Sequence, residues 1–196
     1  MQEYLVAANS RAVQLIALAG QIFGPMGSPW KSAGVMFRDH PPHLHYAPKT
    51  TPVQIALSLR VVENDLQRDF QLSHEVCHLL YPSVDPSRPE KPQTIVLDEG
   101  IPTYFSVLVV DADYGEEAAG IVLESLAKNS PAYFGAFKLV LRLMRNDRDA
   151  IKKVRAIQPM INDVVTQDLI AADIGLKRDE AEVLATVCWD LQSLRN

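Results

Sequence analysis

An α+β fold is what this sequence predicts, with a small mixed sheet among helices first and a mainly helical half afterwards. Three observations predict it. Short apolar pieces rich in β-formers, "GVMF", "HLHY" and "VQIALSLRV", sit among Pro and Gly residues early in the chain. Apolar residues then return at near-helical spacing through "LQRDFQLSHEVCHLL". From Tyr114 onward almost every segment carries a helical pattern. The 196 residues suffice to bury a proper core, and 47% hydrophobic with 22% charged residues are globular proportions. The expected division is an α/β lobe over residues 1–113 and a helical lobe over 114–196, joined in one compact unit.

Taken in order, "MQEYLVAANSRAVQLIALAGQIFG" reads as an amphipathic helix stopped by Gly24-Pro25. Glu3 and the polar Asn9, Ser10 and Arg11 make it a poor secretory leader. No uninterrupted run of about eighteen apolar residues occurs, so no membrane partner is expected. In "VQIALSLRV", Val53, Ile55, Leu57 and Leu59 alternate with Gln54, Ala56, Ser58 and Arg60, the pattern of a half-buried strand at a sheet edge. Asn64 or Asp65 can cap the following helix, which should end near Tyr81-Pro82. The prolines of "PSVDPSRPEKPQ" forbid regular structure and imply a long exposed loop. "TIVLDEGIPTYFSVLVVDA" resumes as an apolar helix, followed by "EEAAGIVLESLAKN" and by "SPAYFGAFKLVLRLMRND" with Ser130 as N-cap and Pro131 in the first turn. "DAIKKVRAI", "INDVVTQDLIAADIG" and "RDEAEVLATVCWDLQSL" complete the helical half.

Charge and cysteine content narrow the partners. A formal charge of −5 with scattered Lys and Arg argues against nucleic acid, which needs clustered cations to displace counterions. Cys77 and Cys188 lie far apart, and a disulfide at Cys77 would tether a helix, so a reduced, cytoplasmic chain is expected. Nothing in the pattern specifies an oligomeric state.

Inside the first helix of that middle region, His74, Glu75 and His78 spell H-E-x-x-H. Two His four apart share a helical face, so both imidazoles can reach one ion, while the Glu beside the first can move a proton. On its own the pattern is as readily an accident on an ordinary helix. Glu99, in "VLDEGIPTYFS" at the start of the next helix, can arrive as a third ligand if the two helices pack together. Asp98 can cap that helix, Pro102 costs nothing in a first turn, and Gly100 leaves room beside the metal.

With these residues the chain resembles the gluzincins, the thermolysin-like and aminopeptidase-like zinc metallopeptidases, over roughly residues 53–141. The matching positions are His74, Glu75, His78 and Glu99, with "DEGIPTYF" where that family shows its second-helix signature. The resemblance implies a zincin-like fold, Zn2+ on His74, His78 and Glu99, and Glu75 as the general base activating a water for peptide-bond hydrolysis. It also nominates Tyr133, in "SPAYFGAFKLVLRL", as the residue that steadies the oxyanion, and peptides or proteins as substrates. An extended peptide would pair with "VQIALSLRV". Departures are Cys77 where a Gly, Ala or Thr is commoner, Val96-Leu97 for Trp-Leu, Thr103 for an acidic residue, and an unusual Gly offset with no Lys beside Tyr133. The alternatives are a zinc-binding module without turnover, a zinc hydrolase of another amide or ester, and a helical interaction protein with an accidental motif.

Other features read more simply. His40, His43 and His45 lack companion carboxylates and suit a loop or strand lining the cleft better than a second metal site. Tyr104 reads as core or as support for the site, Cys77 as a packing residue, and Trp30 and Trp189 as core. "DLIAADIGLKRDEAEVLATV", with Gly175 in its turn, reads as packed helices rather than a DNA reader because its flanks are acidic.

Overall fold

Residues 1–27, 31–46, 52–81 and 94–188 are described by the computed structural model. Trp30, Trp189 and the whole of the Pro-rich stretch 82–93 fall outside them. Among the described residues the architecture is mixed α/β, with eight α-helices and one three-stranded mixed sheet. The elements run α1 (Gln2–Phe23), β1 (Lys31–Arg38), β2 (His43–Tyr46), β3 (Pro52–Ser58), α2 (Asp65–Leu80), α3 (Val96–Tyr114), α4 (Glu116–Asn129), α5 (Pro131–Asn146), α6 (Ala150–Ile157), α7 (Thr166–Ala171) and α8 (Arg178–Leu184). One buried apolar cluster extends from Ala8 on α1 to Leu184 on α8, and a smaller one joins Val107 and Val110 to Ala119, Val122 and Phe137.

The sheet order is β1-β3-β2, with β1 parallel and β2 antiparallel to β3. The strand expected at an edge is therefore the central one. Its alternation misleads because Ala56 and Ser58, read as solvent-facing, are small enough to be buried on the second face. The short "HLHY" strand holds the edge instead. In β1 a register shift between Ser32 and Val35 leaves Gly34 at φ +88°, where a side chain would strike the Asn9 amide oxygen. That oxygen accepts from the Val35 amide at 2.9 Å, so the polar residue that breaks the apolar run of α1 docks the helix on the sheet. By length and composition α1 could cross a membrane. Here Ala8, Ala12, Leu15, Ala19 and Phe23 form an inward stripe against the core.

Helix α2 starts on Asn64, one of the two caps expected, whose side chain accepts from the Gln67 amide at 3.0 Å. Asp69 ties three helices together: it accepts from Arg11 of α1 at 3.0 Å and from the Tyr114 hydroxyl of α3 at 3.2 Å. Burial raises its carboxyl above the ordinary value despite Arg11 and Tyr114, so desolvation outweighs these partners. Arg155, from the basic cluster on α6, is buried. It donates to the carbonyls of Phe23 at 2.7 Å, Gly24 at 2.9 Å and Pro25 at 2.6 Å, and stacks 5.3 Å over the Tyr81 ring. The carbonyls at a helix C-terminus have no intrahelical donors, and here a cation supplies them.

Helix α3 begins earlier than its sequence suggests, with Ile95 as N-cap and no side-chain cap bond. Asp98 is thus not the cap, and Pro102 sits inside the helix rather than in its first turn. Gly100 does not open space for a metal. A Cβ there would lie 2.7 Å from Val140 Cγ2 and 2.9 Å from the Ala136 carbonyl oxygen, so the glycine lets α5 approach α3. The expected helix after Leu184 also gives way: Val187 forms an antiparallel bridge to Ile95, with Cys188 N donating to Thr94 O at 2.8 Å and Val96 N to Thr186 O at 3.0 Å. This pairing holds the start of α3 in place.

Candidate metal centre

The site is built by α2 and α3 lying side by side. Four residues separate His74 from His78, slightly more than one turn, so both rings emerge on the same face with centroids 5.0 Å apart. Glu99, in the first turn of α3, comes in from the facing helix. His74 Nε2 and His78 Nε2 stand 3.3 Å apart, and Glu99 Oε2 lies 3.3 Å from the first and 3.6 Å from the second. Tetrahedral zinc with bonds of about 2.0–2.1 Å separates its donor atoms by about 3.3–3.4 Å. Two imidazoles and a carboxylate are also a donor set suited to that ion. The residues present therefore fit zinc both in spacing and in chemistry. His78 and Glu99 side chains are 3% and 1% exposed, and His74, at 12%, opens toward solvent.

Asp98 is the residue that sequence reasoning misassigned. It is fully buried, and its Oδ1 lies 3.9 Å from His78 Nδ1, the ring nitrogen facing away from Glu99. That is beyond hydrogen-bond distance but near enough to bias the ring electrostatically. Burial alone would lower the His78 pKa, yet the hydrogen bond and charge of Glu99, followed by Asp98 and Glu75, raise it overall. The acids around His78 thus create a negative potential there, which favours a bound cation. The signal for Asp98 was its place beside Glu99, but only the position of the true cap removes its rival role.

Glu75 is buried next to His74, and both line a cavity of about 200 Å³. Its other walls are Phe70 and Gln71 of α2, Thr103 of α3, Leu126 of α4, Ser130 and Tyr133 around the start of α5, and Pro41-Pro42 ahead of β2. Tyr133 is brought to the site, its ring 6.1 Å from that of His74. Ser130 occupies the N-cap position of α5 but makes no cap bond with its side chain. Thr103, whose hydroxyl donates to the Glu99 carbonyl at 2.8 Å, helps hold the first turns of α3.

Other nominees lie elsewhere. Tyr104 is half-buried on a different side of α3, against Phe23. His40, exposed, and His43 and His45, half-buried, form a chain of rings with centroids 5.4 and 6.1 Å apart, and it is Pro41 and Pro42 that reach the cavity. Burial, then Arg38 and His43, lower the His45 pKa. Among the described residues His74, His78 and Glu99 form the cluster able to hold a metal. Cys77 is buried in the core behind them with its thiol pKa raised by desolvation, which makes it a packing group. No family model, curated protein or solved structure matches the chain.

Proposed function

We propose that this protein is a zinc-dependent hydrolase of gluzincin type, with a zincin-like site, that cleaves peptide bonds. The observation carrying the reading is the triangle of 3.3, 3.3 and 3.6 Å among His74 Nε2, His78 Nε2 and Glu99 Oε2. An ion held there supplies Lewis-acid polarisation of the scissile carbonyl and lowers the pKa of water at the site. Glu75, beside His74 at the cavity wall, accepts a proton from the attacking water. The same carboxylic acid then returns that proton to the departing amine as the C–N bond breaks, so Glu75 ends unchanged. The Tyr133 phenol, on the same wall, donates a hydrogen bond to the carbonyl oxygen as it gains charge. Phe70, Leu126 and Pro41-Pro42 give the cavity an apolar lining suited to an uncharged side chain.

Since β3 is central, the edge for an extended peptide passes to β2, which pairs only with β3 among the described residues and follows directly on Pro41-Pro42. Zinc content and peptide hydrolysis, measured together on protein purified without chelator, test the reading. Glu75→Gln should retain zinc and lose on the order of 10²–10⁴-fold in rate, whereas Glu99→Ala should lose the metal. Wild-type turnover by Glu75→Gln would refute the assignment.

A further inference from the structure

Helix α3 separates the metal cavity from a second, larger one of about 560 Å³. At 100° per residue, Glu99 and Tyr104 point about 140° apart around α3, so the second cavity opens on a different face. Its floor is apolar, made by Ile22 at the end of α1, Leu108 of α3, and Leu141 and Met144 of α5. Its rim is cationic, with Arg145, Arg148 and Lys152 where α5 turns into α6. The one acid on that rim, Asp149, is held by Lys152 Nζ at 2.9 Å. Arg145 and Arg148 have no ion pair among the described residues, and they share one cavity rim. Two guanidinium groups without a carboxylate partner thus line one cavity, in a chain whose formal charge is −5.

The rim cations also act on a residue of the cavity wall. Burial raises the Tyr104 phenol pKa, and Arg145 and then Arg148 oppose that rise, so both cations act on the hydroxyl at the cavity wall. The N-terminus of α6 adjoins the same rim through Asp149 and Lys152, and it carries no side-chain cap bond. Its positive end adds to the potential there. An apolar floor beneath a cationic rim fits a particular chemistry: an apolar body to cover Ile22, Leu108 and Leu141, and an anionic head to meet the guanidinium fork. A volume of this size is in the range of small-molecule sites.

We propose that this second cavity binds a small amphiphilic anion, an alkyl carboxylate or alkyl phosphate, with its head on Arg145 and Arg148 and its chain over Ile22, Leu108 and Leu141. The inference stands apart from hydrolysis, since none of these residues belongs to the metal centre.

Calorimetric titration of the full chain at neutral pH with octanoate, octyl phosphate, octan-1-ol, octyltrimethylammonium and inorganic phosphate tests it. The two amphiphilic anions should bind saturably, on the order of tenfold more tightly than the alcohol, the cation or phosphate alone. Their affinity should fall as salt is raised. Arg145→Gln combined with Arg148→Gln should bring octanoate down to the level of the alcohol, with zinc content unchanged. Both arginines are exposed and unpaired among the described residues, so the double variant should fold, and the ligand series on the unaltered chain decides the matter in any case. Octan-1-ol binding as tightly as octanoate, absence of saturable binding, or full octanoate affinity in the double variant would overturn the proposal. So would binding confined to phosphatidylglycerol vesicles without binding of the free amphiphiles.

Discussion

Asp98 and Glu99 are chain neighbours with the same functional group, and the 100° between them on a helix gives them different work. Glu99 aims between the two imidazoles, whereas Asp98 faces the far nitrogen of His78. A carboxylate behind a ligating His fixes its ring and raises its basicity. Asp98→Asn should accordingly weaken zinc affinity by about 10–100-fold with the fold retained, as competition against a zinc-sensitive dye would measure. The shared face of His74 and His78 was legible because it depends on a local spacing of four. Asp98 was not, because its role depends on where α3 begins, and that is settled by a pairing with residues 186–188.

Two elements control the site from a distance. Helix α5 brings Tyr133 to the cavity only because Gly100 leaves no Cβ between α3 and α5. Gly100→Ala must displace Val140 and the Ala136 backbone. It should lower unfolding stability by about 1–3 kcal/mol in denaturant titration and reduce turnover more than zinc content. At the other end of the chain, the strand-like pairing at Thr94 and Val96 anchors the turn bearing Glu99. Cys188→Pro removes the amide that donates to Thr94 and should cost about 1 kcal/mol, with a measurable drop in zinc affinity. Helical periodicity located most of the helices, yet it extended the last one too far. Residues 186–188 are apolar enough to continue α8, and a bridge to Ile95 competes for their backbone groups.

For the whole molecule, the apolar cluster from Ala8 to Leu184 includes none of His74, His78 and Glu99. Chelation should therefore leave a folded protein. Its thermal midpoint should drop by an amount that grows with free zinc in the reference sample, as binding linkage requires, and circular dichroism during a dialysis series would follow it. A zinc finger, by contrast, has too small a core to stay folded once its metal is removed. The sequence by itself determined the order of a mixed α/β part first and helices afterwards, a cap at Asn64 or Asp65, and the shared face of His74 and His78, since each follows from local spacing and propensity. Tertiary structure decided that β3 is central, that Asp98 is buried behind His78 rather than capping a helix, that Gly100 serves helix packing, and that Glu99 reaches the histidines. Those outcomes depend on which surfaces meet across long stretches of chain, and a small residue such as Ala56 or Gly100 reads the same in sequence whether water or another helix lies above it.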